Sequence, residues 1–222
     1  MTQEQWNAVD DYFNGLLVPE DDALSAAAEA NIEFGLPDLA VSPGQGKLLH
    51  LLARIHGARR ILEIGTFGGY SSIWLGRALP PGGRLVTIEW EESFAKVAAA
   101  NIERAGLTDA VEQHVGRALD ILPGLCPAGS DPFDMVFIDA NKPDIPAYFA
   151  WALKLSRPGG VVVVDNVVLG GAVTDPAHPD RGVQGVRRFH ELLADEPRVS
   201  ATSVQTVGVK GYDGFTLALI AS

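Results

Sequence analysis

The chain has 222 residues, of which 47% are hydrophobic and 20% charged, a composition typical of a globular protein with a sizeable core. Its net charge of −11 opposes contact with nucleic-acid phosphates and anionic lipid, so neither nucleic acid nor a membrane is an expected partner. The single cysteine, Cys126, excludes an internal disulfide and fits a reducing compartment, and without a secretory signal or a membrane-length apolar run we expect a cytoplasmic protein.

The first part of the chain, residues 1–57, has the periodicity of helices. Residues 2–5 and 42–45 both have the form of a capping box, in which a hydroxyl residue is followed three places later by glutamine. Residues 21–34 are alanine-rich and are followed by a glycine, a common helix stop. We therefore expect an N-terminal helical cap on a single domain that spans residues 1–222.

From residue 58 onward, short apolar runs alternate with helical patterns, which predicts a parallel sheet covered by helices on both faces. The predicted strands are residues 59–64, 84–89, 111–115, 133–139 and 161–165. The predicted helices between and after them are residues 70–79, 93–105, 118–125, 146–155 and 181–194. Two late β runs, 199–207 and 215–221, are joined by a glycine-rich segment and predict a hairpin that gives the sheet an antiparallel edge. The expected fold is a doubly wound, mostly parallel α/β sheet of seven strands, with ligands beyond the carboxyl ends of the strands.

The first predicted strand ends in EIGTFGGYS, residues 63–71, whose glycines allow a tight turn and a close backbone approach to a ligand. This is not the dinucleotide fingerprint G-x-G-x-x-G, because Phe67 stands at its second glycine position. Glu89 ends the second strand, where an acid can accept hydrogen bonds from both hydroxyls of a ribose. Trp90, directly after it, is equally consistent with stacking on adenine and with packing. The pattern predicts a nucleoside-binding site but does not distinguish between nucleoside-containing cofactors.

Two later strands also end in polar residues that can bind a metal ion. FDMVFIDANK ends with Asp139 and Lys142, and VVVVDN ends with Asp165 and Asn166. Because parallel strand ends meet at one edge of a sheet, we expect these side chains to converge. Two carboxylates and an amide oxygen are hard ligands that suit Mg²⁺, Ca²⁺ or Mn²⁺. A bound cation would favour the deprotonated form of a substrate hydroxyl, and a neutral lysine beside it could act as base.

These motifs together, EIGTFGGYS, Glu89, FIDANK and VVVDN, closely resemble the cation-dependent O-methyltransferases, which include catechol and caffeoyl-CoA O-methyltransferases and small bacterial relatives. The resemblance runs from about residue 39 to the end of the chain and implies the Rossmann-like methyltransferase fold with S-adenosylmethionine as cofactor. It also implies that a divalent cation, most simply Mg²⁺, is held by Asp139, Asp165 and Asn166, with Lys142 as general base. The cofactor residues that the resemblance implies are Val41, Glu63, Gly65, Thr66, Ser71, Glu89, Ala118 and Asp139.

The resemblance further implies a small hydroxylated aromatic substrate, such as a vicinal diol, and a homodimer. The chain departs from the family pattern at Leu169, where the plant enzymes have tryptophan, and at Thr216, where catechol O-methyltransferase has a glutamate that grips the second hydroxyl. Two substitutes for that glutamate remain open: Asp213, or the cation alone. Two alternatives remain open at this stage: a nicotinamide-dependent oxidoreductase, and a non-catalytic nucleoside-binding protein. The first expects a dinucleotide fingerprint, and the second leaves the paired acidic strand ends unexplained.

Overall fold

The computed structural model describes residues 2–18, 21–37, 39–125 and 131–221. Cys126 lies outside these ranges, so the expectation that it forms no internal disulfide rests on the sequence alone. Within the described ranges, no helix combines the length and the apolar character that crossing a membrane requires.

The three predicted N-terminal helices are present, as α1 (Gln3–Leu17), α2 (Asp22–Glu33) and α3 (Pro43–His56). Thr2 and Gln5 form the predicted capping box at the start of α1, with both reciprocal hydrogen bonds made. At the start of α3 the Ser42 hydroxyl accepts a hydrogen bond from the Gln45 backbone N–H, which gives half of the second predicted box. The Gln45 side chain instead lies within hydrogen-bonding reach of Asp165, so α3 is directed at the predicted metal site.

The remaining chain forms a seven-stranded sheet in the order β3-β2-β1-β4-β5-β7-β6. The strands are β1 (Arg60–Ile64), β2 (Arg84–Glu89), β3 (Val111–Val115), β4 (Phe133–Ile138), β5 (Ser156–Asp165), β6 (Val199–Gly208) and β7 (Gly211–Ile220). The first five strands are parallel, and β6 and β7 form the predicted hairpin. This confirms the antiparallel edge, in which β7 is inserted between β5 and β6 and runs antiparallel to both. β5 begins earlier than predicted because Ser156 already pairs with Phe133 across an irregularity in β4.

Helices cover both faces of this sheet. They are α4 (Tyr70–Ala78), α5 (Glu92–Arg104), α6 (Ala118–Ile121), α7 (Ile145–Leu155) and α8 (Arg181–Asp195). α6 is shorter than predicted and continues as a 3₁₀ turn, Leu122–Gly124, because Pro123 has no backbone N–H to continue the α-helical ladder.

Two hydrophobic cores lie on opposite faces of the sheet. Val136 packs into the core beneath α7 and α8, whereas its neighbour Phe137 packs into the core beneath α3 and α4, since successive strand residues point to opposite faces. The central strands are almost fully buried on both sides, which fixes their register and brings the carboxyl ends of β1, β2, β4 and β5 to one edge. The loops at that edge therefore form a shared surface.

Candidate active site

The glycine turn after β1 brings the ends of two strands into contact. Gly65 has φ +103°, and a Cβ built on it would lie 2.0 Å from the backbone oxygen of Asp139, so only glycine fits. The Asp139 backbone N–H donates to the Ile64 carbonyl at 2.9 Å. The turn thus fixes the Asp139 backbone at the edge of the first predicted site.

Glu63 lies beneath this turn and is fully buried. Its carboxylate accepts hydrogen bonds from the hydroxyls of Ser71, at 2.6 Å, of Ser72, and of Thr87, at 2.7 Å. Burial raises the pKa of Glu63 to about 7, and the three hydroxyl hydrogen bonds act in the opposite direction. Glu63 therefore connects the start of α4 to β1 and β2. Because it does not line the cavity, its negative charge can act on a cationic ligand only electrostatically, without direct contact.

Glu89, at the end of β2, faces the cavity. Its carboxylate accepts hydrogen bonds from the backbone N–H groups of Phe67, at 2.7 Å, and Glu91, at 2.9 Å. These two bonds orient the carboxylate and leave acceptor positions for ligand hydroxyls, since a carboxylate offers about four. Phe67 has φ +51°, a left-handed conformation at a non-glycine residue within the turn.

A cavity of about 440 Å³ lies above these strand ends. Of the eight predicted cofactor residues, seven line it, all except Glu63: Val41, Gly65, Thr66, Ser71, Glu89, Ala118 and Asp139. Trp90 also lines the cavity, with 59% of its surface exposed and the Arg117 guanidinium 5.8 Å from its ring centroid. An exposed ring at a cavity wall favours the stacking interpretation of Trp90 over the packing one.

The two acidic strand ends converge as predicted. The Lys142 ammonium donates to Asp139 Oδ1 at 3.0 Å and to the backbone oxygen of Asp165 at 3.2 Å. Lys142 and Asp139 are each only about one-fifth exposed. One amine therefore links the ends of β4 and β5.

Asp165 is buried, with 4% of its surface exposed. Burial, and after it the nearby negative charge of Asp139, raises the pKa of Asp165 to about 7, while Lys142 and a hydrogen bond from the Gln45 side chain act in the opposite direction. Asn166 follows in a left-handed conformation, φ +54°, at the cavity wall. Two nearby carboxylates and a single lysine, which contacts the Asp139 carboxylate and the Asp165 backbone oxygen, form a site whose excess negative charge suits a divalent cation.

A second cavity of about 460 Å³ adjoins the first. Lys142 and Asn166 line both cavities, so the predicted base and one predicted metal ligand lie at their junction. Asp165 and Gln45 line the second cavity alone. A cofactor in one cavity and an acceptor in the other would meet at this junction.

The far wall of the second cavity is made by the β6–β7 hairpin tip and by α1. The Val209 N–H donates to Asp10 Oδ2 at 2.7 Å, and the Gln3 side chain donates to the Gly208 carbonyl at 2.8 Å. The N-terminal helix therefore braces the hairpin tip over the cavity.

The two residues considered for gripping a second substrate hydroxyl have structural contacts. Thr216 is fully buried and hydrogen-bonded to Ser203 and His190, away from both cavities. Asp213 lines the second cavity, but its Oδ1 accepts from the backbone N–H groups of residues 168, 169 and 214. Leu169 lies in the wall where the plant enzymes have tryptophan.

Two features of the site were missed by sequence reasoning. Asn141, Asp144 and Tyr148 all line the first cavity, and none of them was among the predicted site residues. On α8, Gly185 approaches the loop that carries Lys142 so closely that an added Cβ would lie 2.3 Å from the Lys142 carbonyl oxygen. Sequence spacing carries no signal for either feature, because each depends on contacts made in the folded chain.

Among the described residues, no group of three or more histidine, cysteine, aspartate or glutamate side chains has a metal-binding arrangement. The set formed by Asp139, Asp165 and Asn166 has two carboxylates and one amide, a donor set for a hard cation that keeps water or substrate ligands.

Known proteins resemble this chain along its whole length. The O-methyltransferase family model matches residues 18–220. The catechol O-methyltransferase of Niastella koreensis is 51% identical over 220 residues, covering 99% of this chain and 100% of that protein. The catechol O-methyltransferase of Mycobacterium tuberculosis is 50% identical over 212 residues, covering 96% and 94%.

Solved structures of O-methyltransferases are also similar to this chain. The O-methyltransferase TomG of Streptomyces achromogenes, involved in tomaymycin synthesis and solved in complex with SAM, has a TM-score of 0.98 and 75% identity, with full coverage of both chains. The O-methyltransferase of Bacillus cereus in complex with SAH has a TM-score of 0.97 and 55% identity, covering 99% of this chain and 100% of that one. The chain therefore belongs to the O-methyltransferase family, enzymes that transfer a methyl group to an oxygen atom.

Proposed function

We propose that the protein is an S-adenosylmethionine- and divalent-cation-dependent O-methyltransferase that acts on one hydroxyl of a small vicinal aromatic diol. The observation that carries this proposal is the convergence of Lys142 with Asp139 and Asp165 at the junction of two adjacent cavities. Two similar structures hold SAM or SAH, and two relatives of about 50% identity bear the name catechol O-methyltransferase.

In this proposal the first cavity takes S-adenosylmethionine. Glu89 binds the ribose hydroxyls, because its carboxylate faces the cavity with acceptor capacity left over. The turn at Gly65, Thr66 and Ser71 receives the methionine portion of the cofactor. Gly65 has no Cβ, so a polar ligand can come close to the backbone there. Ala118 and Val41, which both line the cavity, supply small apolar contacts.

Asp139, Asp165 and Asn166 would hold the divalent cation. The fit rests on the buried Asp165 carboxylate, whose pKa of about 7 reflects burial and the adjacent Asp139 charge. When bound there, a hard cation such as Mg²⁺ stabilises a deprotonated substrate oxygen as a Lewis acid. The Gln45 side chain orients the Asp165 carboxylate from the acceptor side.

Lys142 acts as the general base at the junction. Its Nζ, when neutral, accepts the proton of the substrate hydroxyl, and its contacts with Asp139 and the Asp165 backbone oxygen fix its position. The phenolate oxygen then attacks the sulfonium methyl group, so that the C–O bond forms as the C–S bond breaks. The products are the methyl ether and S-adenosylhomocysteine. The chain contributes chiefly by orienting the two reactants, since no covalent enzyme intermediate is needed.

The second cavity suits an aromatic acceptor. Its walls include Leu48, Leu169, Val207 and Phe215, which match the faces of a flat ring. Because Thr216 is buried elsewhere and Asp213 is engaged by backbone N–H groups, we assign the second hydroxyl of the diol to the cation site.

An activity assay tests this proposal. Purified protein given a panel of catechols, S-adenosylmethionine and Mg²⁺ should release S-adenosylhomocysteine, and EDTA should abolish the release until excess Mg²⁺ is restored. Turnover that survives EDTA would contradict the proposed cation dependence but not the proposed methyltransferase activity. A parallel titration with S-adenosylmethionine and with NAD should give binding of the first only; the reverse result would favour an oxidoreductase.

We also propose a homodimer. α1 exposes a cluster of large apolar side chains, Tyr12, Phe13, Leu16 and Leu17, each at least half exposed, and a second copy would cover them. Light scattering after size-exclusion chromatography should give twice the chain mass of 23.6 kDa, and a monomer at micromolar concentration would contradict this. The cytoplasmic location stays a prediction.

A further inference from the structure

Three polar side chains form a chain along the wall of the cofactor cavity. Tyr148 donates its hydroxyl proton to Asn141 Oδ1, and Asn141 Nδ2 donates to Asp144 Oδ2 at 2.7 Å. All three residues line the cavity. None of them has a role in the reaction proposed above.

The direction of these hydrogen bonds is determined by chemistry. An ionised carboxylate only accepts, so the Asn141 atom that faces Asp144 must be the amide nitrogen, and the atom that faces Tyr148 must be the oxygen. Burial raises the pKa of Tyr148 to about 12, so its hydroxyl keeps the proton that it donates. The orientation of the Asn141 amide is thereby fixed from both sides.

This arrangement leaves one donor and one acceptor for a ligand. Asn141 Nδ2 has a second N–H, and no hydrogen bond reaches Asp144 Oδ1 within the described part of the chain. A donor beside an acceptor complements an adenine edge, where the 6-amino group donates and a ring nitrogen next to it accepts. A 6-oxopurine presents an acceptor at position 6 and an N–H donor at the adjacent ring nitrogen, so it mismatches both the Asp144 carboxylate and the Asn141 amide N–H.

The position of the chain also suits the base of the cofactor. With the ribose at Glu89, we place the base between α6 and α7, because Ala118, which begins α6, and Tyr148 of α7 both line the cavity and belong to one hydrophobic core. Trp90 lines the same cavity and offers an aromatic face. The inference rests on the cofactor site proposed above.

We infer that Asn141 and Asp144, oriented by Tyr148, read the edge of the adenine base and make the site specific for adenine over a 6-oxopurine. Asp144 accepts from the 6-amino group, and Asn141 donates to the adjacent ring nitrogen. Both act as specificity-determining residues for the cofactor.

Calorimetric titration with S-adenosylhomocysteine and with S-inosylhomocysteine, its hypoxanthine analogue, tests the inference. The native protein should bind the adenine ligand about 100-fold more tightly, as expected when two hydrogen-bonding pairs are mismatched. In Asp144→Asn the new amide can donate to a 6-oxo group, which removes one of the two mismatches, so the preference should fall by about 10-fold. Asp195→Asn, an exposed acid at the end of α8, serves as the matched control and should keep the native ratio.

If Asp144 has only a structural role, Asp144→Asn should lower the affinity for both ligands alike and leave their ratio unchanged. That result would overturn the inference. Equal affinity of the native protein for both ligands would also overturn it. Asn141→Ala, a second variant, should weaken S-adenosylhomocysteine about 10-fold. If neither ligand binds the native protein, the cofactor proposal falls together with this inference. Discrimination without methyl transfer would keep the inference and contradict the proposed reaction.

Discussion

The two cavities are built in different ways. The proposed cofactor cavity is formed largely by the ends of β1, β2 and β4, with a glycine turn and a buried network of hydroxyls around Glu63 beneath it. The proposed acceptor cavity is closed by surface elements, the hairpin tip of β6 and β7 and the helix α1, which meet through Asp10 and Gln3. Under the proposed function, this difference predicts that cofactor binding depends on the sheet, whereas acceptor binding depends on how α1 and the hairpin are held against the sheet.

Lys142→Ala should have the largest effect on the reaction rate, because Lys142 lines both cavities and lies at their junction. We expect kcat to fall by about 10²- to 10⁴-fold, the usual contribution of a general base. Affinity for S-adenosylmethionine should change little. Lys96→Ala, which removes an exposed lysine of α5, is the matched control. A Lys142→Ala enzyme with an unchanged rate and pH profile would remove the base role.

Gly185→Ala tests whether α8 positions the loop that carries Lys142, the proposed base. The added Cβ would lie 2.3 Å from the Lys142 carbonyl oxygen and 2.7 Å from Pro143 Cα, so the loop must shift. A displacement of this kind should lower kcat by roughly 100-fold with little effect on cofactor affinity. Gly15→Ala in α1, where an added Cβ meets no atom within 4 Å, should leave kcat unchanged. Equal rates in the two variants would contradict the positioning role.

These two variants also mark the boundary of what the sequence could predict. Lys142 follows directly from the DxxK spacing at a strand end, and most strand bounds follow from apolar runs that are buried on both faces. Gly185 could not be found in this way, because its partner is brought to it only when α8 packs on the sheet. Glu63 was found, but its burial was not predicted, since a carboxylate near a ligand turn gives no sequence signal of the three hydroxyls that enclose it.

Glu63→Gln tests the buried network under the cofactor cavity. Glu63 and Asp165 both have a pKa raised to about 7, so each contributes stability at low pH that is lost as the pH rises through 7. The ligand-free native protein should therefore lose stability between pH 5 and pH 8, on the order of 2 to 3 kcal/mol per group. Glu63→Gln should remove about half of that loss, measured as Tm against pH. Glu103→Gln, on the exposed face of α5, should keep the native slope, and a Glu63→Gln slope equal to it would contradict the assignment.

Asp10→Ala should have the smallest effect and separates the two cavities. Loss of the hydrogen bond from the Val209 N–H loosens the hairpin tip over the acceptor cavity. We expect KM for the acceptor to rise about 3- to 10-fold, in line with one hydrogen bond, and KM for S-adenosylmethionine to stay constant. Asp11→Ala, at an exposed neighbouring position, is the control. An equal rise in both KM values would show that the cavities are not independently supported.

The central claim is that the ends of β4 and β5 together hold one hard cation beside Lys142. Titration with Mn²⁺, followed by the electron paramagnetic resonance signal of the free ion, tests it most directly. The account predicts one bound ion per chain in the native protein and in Asp195→Asn, and loss of that site in both Asp139→Ala and Asp165→Ala. Unchanged Mn²⁺ binding in the two latter variants would contradict it.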